Sequence, residues 1–281
     1  MITLLEIIKR SAGYLAERGI ESSRRTAEEV IADVLGMKRL DLYLQFDRPL
    51  TESELPALRS AIVRRAQHEP VAYIAGRVAF AGIELNVDRS VLIPRPETEI
   101  LVETIAQSIQ EMALDGKVLW DMCCGSGCIG LALKTRFPLL TVILSDMSSE
   151  ALQTAQKNAH VEVQFKQGDL FAPFAGEGCD FFVCNPPYIT EGEFPELAPE
   201  VRDWEPKKAL VAGPTGLEYY ARIARDLKAH LRQDGKAWLE IGSGQGPAVQ
   251  ALFAAQGWKC QITSDWAGHD RFCLVSGRNA L

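Results

Sequence analysis

A chain of 281 residues is long enough for one large domain or two ordinary ones. Its formal net charge of −7 argues against a protein whose main task is gripping nucleic-acid phosphates, which needs clustered Lys and Arg. No apolar run is long enough to span a bilayer, and Met1-Ile2-Thr3-Leu4-Leu5 leads directly into charged residues, so no membrane helix or signal peptide is expected and the cytoplasm is the expected location.

The first part of the chain, residues 1–75, reads as helical. Ala27, Val30, Ile31, Val34 and Leu35 form one apolar stripe of an amphipathic helix. Thr51-Glu52-Ser53-Glu54 has the spacing of a capping box, opening a helix that buries Leu55, Leu58 and Ile62 and stops at Pro70. Acids and bases are balanced here, which fits a small bundle serving either as a packing appendage or as a platform for a protein partner. Residues 76–96 read as a hairpin linker: Ile83, Leu85 and Val87 alternate after a turn at Ala81-Gly82. Pro94-Arg95-Pro96-Glu97-Thr98-Glu99 then leads into a helix carrying Leu101, Ile105, Ser108 and Met112 on one face. Glu97 and Glu99 suit either a helix dipole or the closing of a pocket.

From Lys117 strands and helices alternate, which implies an α/β fold, a doubly wound and mostly parallel sheet. Strands are expected at 118–122, 140–146, 161–166, 180–184 and 236–241, and helices at 128–136, 149–159, 216–231 and 247–256. Two further strands, at 261–263 and 272–275, are close enough for an antiparallel pair.

The first of these strands ends in Asp121 and runs into Cys123-Cys124-Gly125-Ser126-Gly127-Cys128-Ile129-Gly130, a glycine turn opening a helix. The pattern alone is a weak nucleotide signal. Asp146, ending the next strand, can accept from both ribose hydroxyls and strengthens it. Asp169 after the third strand can accept from an adenine amino group, with Leu170 or Phe171 packing on the ring. A pyrophosphate would be poorly served by Asp121, which suits an ammonium instead. Three carboxylates and no arginine around one crevice favour S-adenosylmethionine over a phosphate-bearing dinucleotide. The chain's seven cysteines, Cys123, Cys124, Cys128, Cys179, Cys184, Cys260 and Cys273, are read as reduced, buried thiols. Cys123, Cys124 and Cys128 lack paired C-x-x-C knuckles, so no metal is expected.

The most informative tetrad is Asn185-Pro186-Pro187-Tyr188, which ends the apolar strand at 180–184. The prolines lack backbone N–H groups and enforce a rigid, extended turn where open α/β sheets place their ligands. The Asn185 side-chain oxygen and the Asn185 and Pro186 carbonyls can face one way, with Tyr188 as an aromatic wall. Such an array suits a planar –NH2 group on an sp2 carbon. His68, His160, His230 and His269 fall in helical or turn segments and read as surface residues. The long loop from Ile189 to Val211 is expected to order over a substrate segment.

In this order, the glycine turn, Asp146, Asp169 and the tetrad make the chain resemble a class I S-adenosylmethionine-dependent methyltransferase. More narrowly, it resembles the peptide chain release factor N5-glutamine methyltransferases, through Ile93-Pro94-Arg95-Pro96-Glu97-Thr98-Glu99, Glu205-Pro206, Ala209-Leu210, Gly213-Pro214-Thr215-Gly216-Leu217 and Asp270-Arg271. The resemblance implies a seven-stranded sheet with an antiparallel last strand in a methyltransferase domain over 97–281, and a substrate-protein-binding role for 1–75. It implies methyl transfer to the glutamine of the Gly-Gly-Gln motif of class 1 release factors, by a monomer that does not act on nucleic acid directly. An adenine or guanine amino-methyltransferase is the alternative, since the tetrad is shared. Catalysis falls to Asn185, Pro186 and Tyr188, and substrate binding to these and Pro187. Cofactor binding falls to Asp121, Cys123, Cys124, Gly125, Ser126, Gly127, Asp146, Asp169, Leu170 and Asn185. The family usually has Gly-Thr at Cys123-Cys124; the expectation is that position 123 does not require a positive φ and that cofactor binding survives.

Overall fold

The computed structural model describes residues 2–278. The chain forms two units, one of Met1–Arg77 with Ala198–Trp204, the other of Val78–Leu197 with Glu205–Leu281.

The first unit contains α1 (Leu4–Ala16), α2 (Ser23–Val34), α3 (Glu54–Ala66) and the short α4 (Val71–Ala75), with a 3-10 turn at Arg39–Leu44. Thr3 and Glu6 close a reciprocal capping box on α1. The stripe on α2 buries Ala27, Val30 and Ile31 against Leu4, Ile8, Leu15 and Leu58. Glu54 reaches back to the Thr51 backbone N–H at 2.8 Å as the capping signal requires, although the first residue of α3 is Glu54 itself. Glu28 is buried; burial pushes its carboxyl up, but Tyr43, Arg24 and Arg39 more than offset this and leave it below the usual range. From the distant segment, α8 (Pro199–Arg202) brings Glu200 to Arg65, and Trp204 Nε1 donates to the Gln67 carbonyl at 3.2 Å.

The second unit opens with the hairpin β1 (Arg77–Phe80) and β2 (Ile83–Asn86), whose turn residues Ala81 and Gly82 both have positive φ. Its helix α5 (Pro96–Ile109) buries Leu101, Ile105 and Ile109, but stops short of Met112, which is exposed. The main sheet contains β3 (Val118–Met122), β4 (Thr141–Asp146), β5 (Gln164–Gln167), β6 (Cys179–Cys184), β9 (Leu231–Glu240), β10 (Trp258–Ser264) and β11 (Asp270–Arg278). The small pair β7 (Ile189–Thr190) and β8 (Val211–Gly213) lies apart. The order in the main sheet is β10-β11-β9-β6-β3-β4-β5, with β11 antiparallel to both neighbours. From β3 the chain builds outward through β4 and β5, then crosses back to β6 and β9. The order therefore reverses between β3 and β6, and a crevice opens at their carboxyl ends.

Period-two alternation divides the core. Leu119, Phe181, Val183 and Trp238 pack under α5, α6 (Cys128–Arg136) and α7 (Ser149–Asn158). Trp120, Phe182, Cys184 and Leu239 pack under α10 (Glu218–Asp226) and α11 (Gly246–Ala255). The helix expected over 216–231 is shorter, because a 3-10 turn at Leu227–Ala229 ends it and the His230 carbonyl accepts from Cys179 N at 2.9 Å. His230 also stacks on Phe171 at 4.7 Å, so it is not a plain surface residue. The expectation of seven reduced thiols is corrected too: Cys260 and Cys273, on adjacent strands, form a disulfide, and five cysteines are free.

Candidate active site

The glycine turn leaves β3 at Met122 and enters α6 at Cys128. Gly127 at its end has φ +81°, and Gly130 lets α6 sit on the sheet: a Cβ there would lie 2.3 Å from Leu144 Cδ2. Cys124 N donates to the Ser145 carbonyl at 3.0 Å, tying the turn to β4. Bending back to make that bond puts Cys123 in the left-handed region at φ +57°. The expectation that position 123 avoids positive φ is therefore wrong. A side chain there carries a backbone cost of about 1–2 kcal/mol that a glycine would not.

Asp121 is buried behind the turn, with Oδ2 accepting from Gly130 N at 2.8 Å and Oδ1 buried without a partner. Burial pushes its carboxyl up to about 7, with the Gly130 bond pulling it back and Asp146 pushing further. Asp146 accepts from Gly125 N and Ser148 N, both at 2.9 Å. Burial raises its carboxyl as well, against those backbone bonds.

A cavity of about 500 Å³ opens above these groups. Its walls come from the turn (Cys123 to Ser126), the end of β4 (Asp146 to Ser148), the segment Arg89–Leu92 with Pro94, Arg95 and Thr98, and Asn185 and Pro187. Tyr219, Pro206 and Lys208 complete it. Leu170, Asp169, Asp146, Cys123 and Tyr219 share an adjoining recess. Cys123, Cys124, Gly125, Ser126, Asp146 and Asn185 are thus gathered on one surface, with Asp169 and Leu170 next door. Asp121, Gly127, Pro186 and Tyr188 are not part of the cavity wall. The crevice is not free of arginine as expected. Arg89 and Arg95 reach it from the strand-free segment before α5, and Asp169 pairs with Arg222 at 2.7 Å. Arg95 is matched in turn by the buried Glu205, which also accepts from Ile93 N at 3.1 Å.

The tetrad is held from behind. Gln245 Nε2 donates to the Tyr188 carbonyl at 3.0 Å while its Oε1 takes Gly242 N at 2.9 Å. Burial pushes the Tyr188 phenol up to about 12. Asn185 stands beside Glu240 at the ends of the paired strands β6 and β9, and Glu240 Oε2 accepts from Thr98 Oγ1 at 2.7 Å. Glu240 and Gln245 do not stand out in the sequence, and Thr98 does so only as a member of the segment 94–99, with no role of its own. A glutamate ending the apolar run Ala237-Trp238-Leu239 was the available signal for the first. The loop 189–211 is largely structured, by β7, β8, α8 and α9 (Lys207–Leu210).

The arrangement fits S-adenosylmethionine on the structure's own terms. The unpartnered buried carboxylate oxygen of Asp121 calls for a donor, Asp146 retains lone pairs towards the cavity, and no group of three His, Cys, Asp or Glu among the described residues is placed to hold a metal ion.

Comparison with known proteins agrees. Residues 6–76 match the model of the PrmC N-terminal domain and residues 96–200 that of the methyltransferase small domain. The chain is 43% identical over 276 residues to the release factor glutamine methyltransferase of Chlamydia trachomatis serovar L2, covering 97% of this chain and 94% of that one. Its identity to the enzyme of the same name from Geobacter sulfurreducens is 37%, covering 98% and 96%. For that from Bacillus subtilis it is 36%, covering 99% and 100%. Two solved structures share the fold. One is a methyltransferase from Pyrococcus furiosus (14% identity, TM-score 0.51, covering 69% of this chain and 89% of that one). The other is the 16S rRNA N2 G1207 methyltransferase of Thermus thermophilus, in complex with AdoMet and guanosine (16%, TM-score 0.50, covering 72% and 50%). With a full-length match at this identity, and with Asn185 and Pro187 of the tetrad on the cavity wall, the chain belongs to the release factor glutamine methyltransferase family.

Proposed function

We propose that the chain is an S-adenosylmethionine-dependent methyltransferase acting on the side-chain amide nitrogen (N5) of the glutamine in the Gly-Gly-Gln motif of class 1 peptide chain release factors, and so modulates translation termination. The observation that carries this reading is the identity to the Chlamydia trachomatis release factor glutamine methyltransferase along 97% of the chain. The seating of Asn185 on the wall that also carries the glycine turn and Asp146 gives that identity a chemical basis.

The cofactor, when bound, supplies a methyl group made electrophilic by its sulfonium. Asp146 would hold the ribose hydroxyls, Asp121 the charge of the amino end, and Asp169 with Leu170 the adenine. An amide nitrogen is a weak nucleophile because its lone pair is delocalised into the carbonyl. Asn185 Oδ1 and the Pro186 carbonyl take the two N–H bonds of the substrate amide and Tyr188 flanks its plane. This fixes the nitrogen towards the methyl and offsets positive charge as the C–N bond forms. Acceleration then comes from positioning and preorganised acceptors, with no general base, and the surplus amide proton leaves to water after transfer. Pro187, locked in φ, keeps the acceptors from relaxing.

Residues 1–75 are assigned to recognition of the release factor, 76–96 to a linker and 97–281 to catalysis. The enzyme is read as a cytoplasmic monomer without a direct nucleic-acid substrate; no helix among the described residues is long and apolar enough to cross a membrane. The test is transfer from methyl-labelled cofactor to a purified release factor, its Gln→Ala variant, and total RNA and DNA. Label in the wild-type factor alone supports the reading. Label in nucleic acid with unlabelled protein overturns it.

A further inference from the structure

Glu240 has no role in the reaction above, yet it is only 2% exposed. Strands β6 and β9 run parallel with Cys184 opposite Leu239, so Asn185 and Glu240, the next residues, stand side by side at two adjacent strand ends. Trp238 packs on the α5 face, and the two-residue repeat turns Glu240 to the same face. There Thr98 Oγ1 donates to its Oε2 at 2.7 Å, and Asn185 sits next to the same carboxylate at the neighbouring strand end. Tyr220 donates its hydroxyl to the Glu240 carbonyl at 2.9 Å, fixing the backbone. Thr98 and Asn185 line the cavity while Glu240 stands behind both.

The two ends of an asparagine amide are alike in shape and opposite in chemistry. Turned outward, its NH2 would meet the N–H groups of the substrate amide, donor against donor. An ionised carboxylate only accepts, so it admits the NH2 and rejects Oδ1. We propose that Glu240 is a positioning residue: it holds the Asn185 NH2 inward, so that Oδ1 always faces the substrate glutamine, and Thr98 holds Glu240 in place to do so. This rests on the glutamine-methylating reading given above.

Protonation reverses the selection, because a neutral Glu240 can donate to Oδ1 and let the amide turn over. Burial pushes the Glu240 carboxyl up to about 7; Thr98, Arg271 and Asn185 pull it down, and Glu97 pushes it up. Tyr188, Tyr220 and the Cys128 thiol also face it. The orienting device is therefore set above about pH 7 and lost below it.

The test measures kcat on a release factor at saturating cofactor, so that titration of Asp121 does not enter, from about pH 5.5 to pH 9. The wild type should lose kcat as pH falls through about 7. E240Q, which can present either end of its own amide, should lower kcat about tenfold with the KM for cofactor unchanged and the acid limb gone. It should add nothing to the loss in N185A, because it acts through that residue. T98V removes a donor that lowers the carboxyl pKa, so its acid limb should move to higher pH, and this decides the matter should E240Q fail to fold. Full kcat in E240Q, an equal extra loss in the N185A background, or a limb unmoved in T98V would overturn the inference alone. A wild type that cannot methylate the factor would remove the functional reading and the inference together.

Discussion

At the scale of single residues, Asn185 is the residue proposed to carry the chemistry and Cys123 carries a backbone cost. Replacing Asn185 by Ala removes an acceptor and leaves a substrate donor unsatisfied. The loss should be about 1–3 kcal/mol of transition-state binding, roughly tenfold to two-hundredfold in kcat/KM. An unchanged kcat/KM would rule out the positioning role. Cys123 sits at φ +57° with its side chain partly packed. Cys123→Gly should relieve about 1–2 kcal/mol of backbone cost and lose about 0.5–1 kcal/mol to chain entropy, a net gain visible as a slightly higher Tm. Cofactor should bind both forms; calorimetry showing no binding to the wild type would mean that the cysteine has disabled the turn. Asn185 and the turn were legible in the sequence because prolines and glycines restrict the backbone directly. The strain at Cys123 was not, since it comes from a bond to β4 that only the assembled sheet provides.

At the scale of elements, two segments far apart in sequence are joined by a buried ion pair. Glu205, 1% exposed at its side chain, meets Arg95 and also caps the Ile93 backbone N–H. Removing the buried partner by Glu205→Ala should cost about 2–3 kcal/mol, less than a fully buried pair because Arg95 is partly solvated. It should also weaken cofactor binding, since Arg95 lines the cavity. A Tm and cofactor Kd equal to those of the wild type would contradict this. Both segments had been noticed as motifs, but nothing in their spacing said that they touch. Strand and helix positions were readable from periodicity where elements are buried, as in β3 and α6, whose predicted limits coincide with the observed ones. They were least readable at the edge strand β5, which is half-exposed and lacks alternation, and around β9, where the residues before the strand form a separate 3-10 turn.

For the whole molecule, two buried acids at the carboxyl ends of the sheet set a dependence of stability on pH. Asp121 and Glu240 are both raised to about 7 by burial. A raised acid binds its proton more tightly in the folded state than in the unfolded one. These groups therefore make stability fall as pH climbs from the ordinary carboxylate range to about 7, and add no slope above it. The paired Glu28, Asp180 and Asp265 are held low and withdraw their stabilisation only under more acidic conditions. The cofactor-free protein should have a higher urea midpoint near pH 6 than near pH 8; a midpoint that rises over this interval would contradict the burial argument. The acidic overall charge suits the proposed protein substrate, and the choice of a glutamine amide is written outside the tetrad. The most direct test of that choice is mass spectrometry of the Gly-Gly-Gln peptide from a release factor incubated with enzyme and cofactor. One added methyl on the glutamine side chain, absent with N185A, is the predicted result. A peptide left unmodified by the wild-type enzyme, or a methyl on another residue, would contradict it.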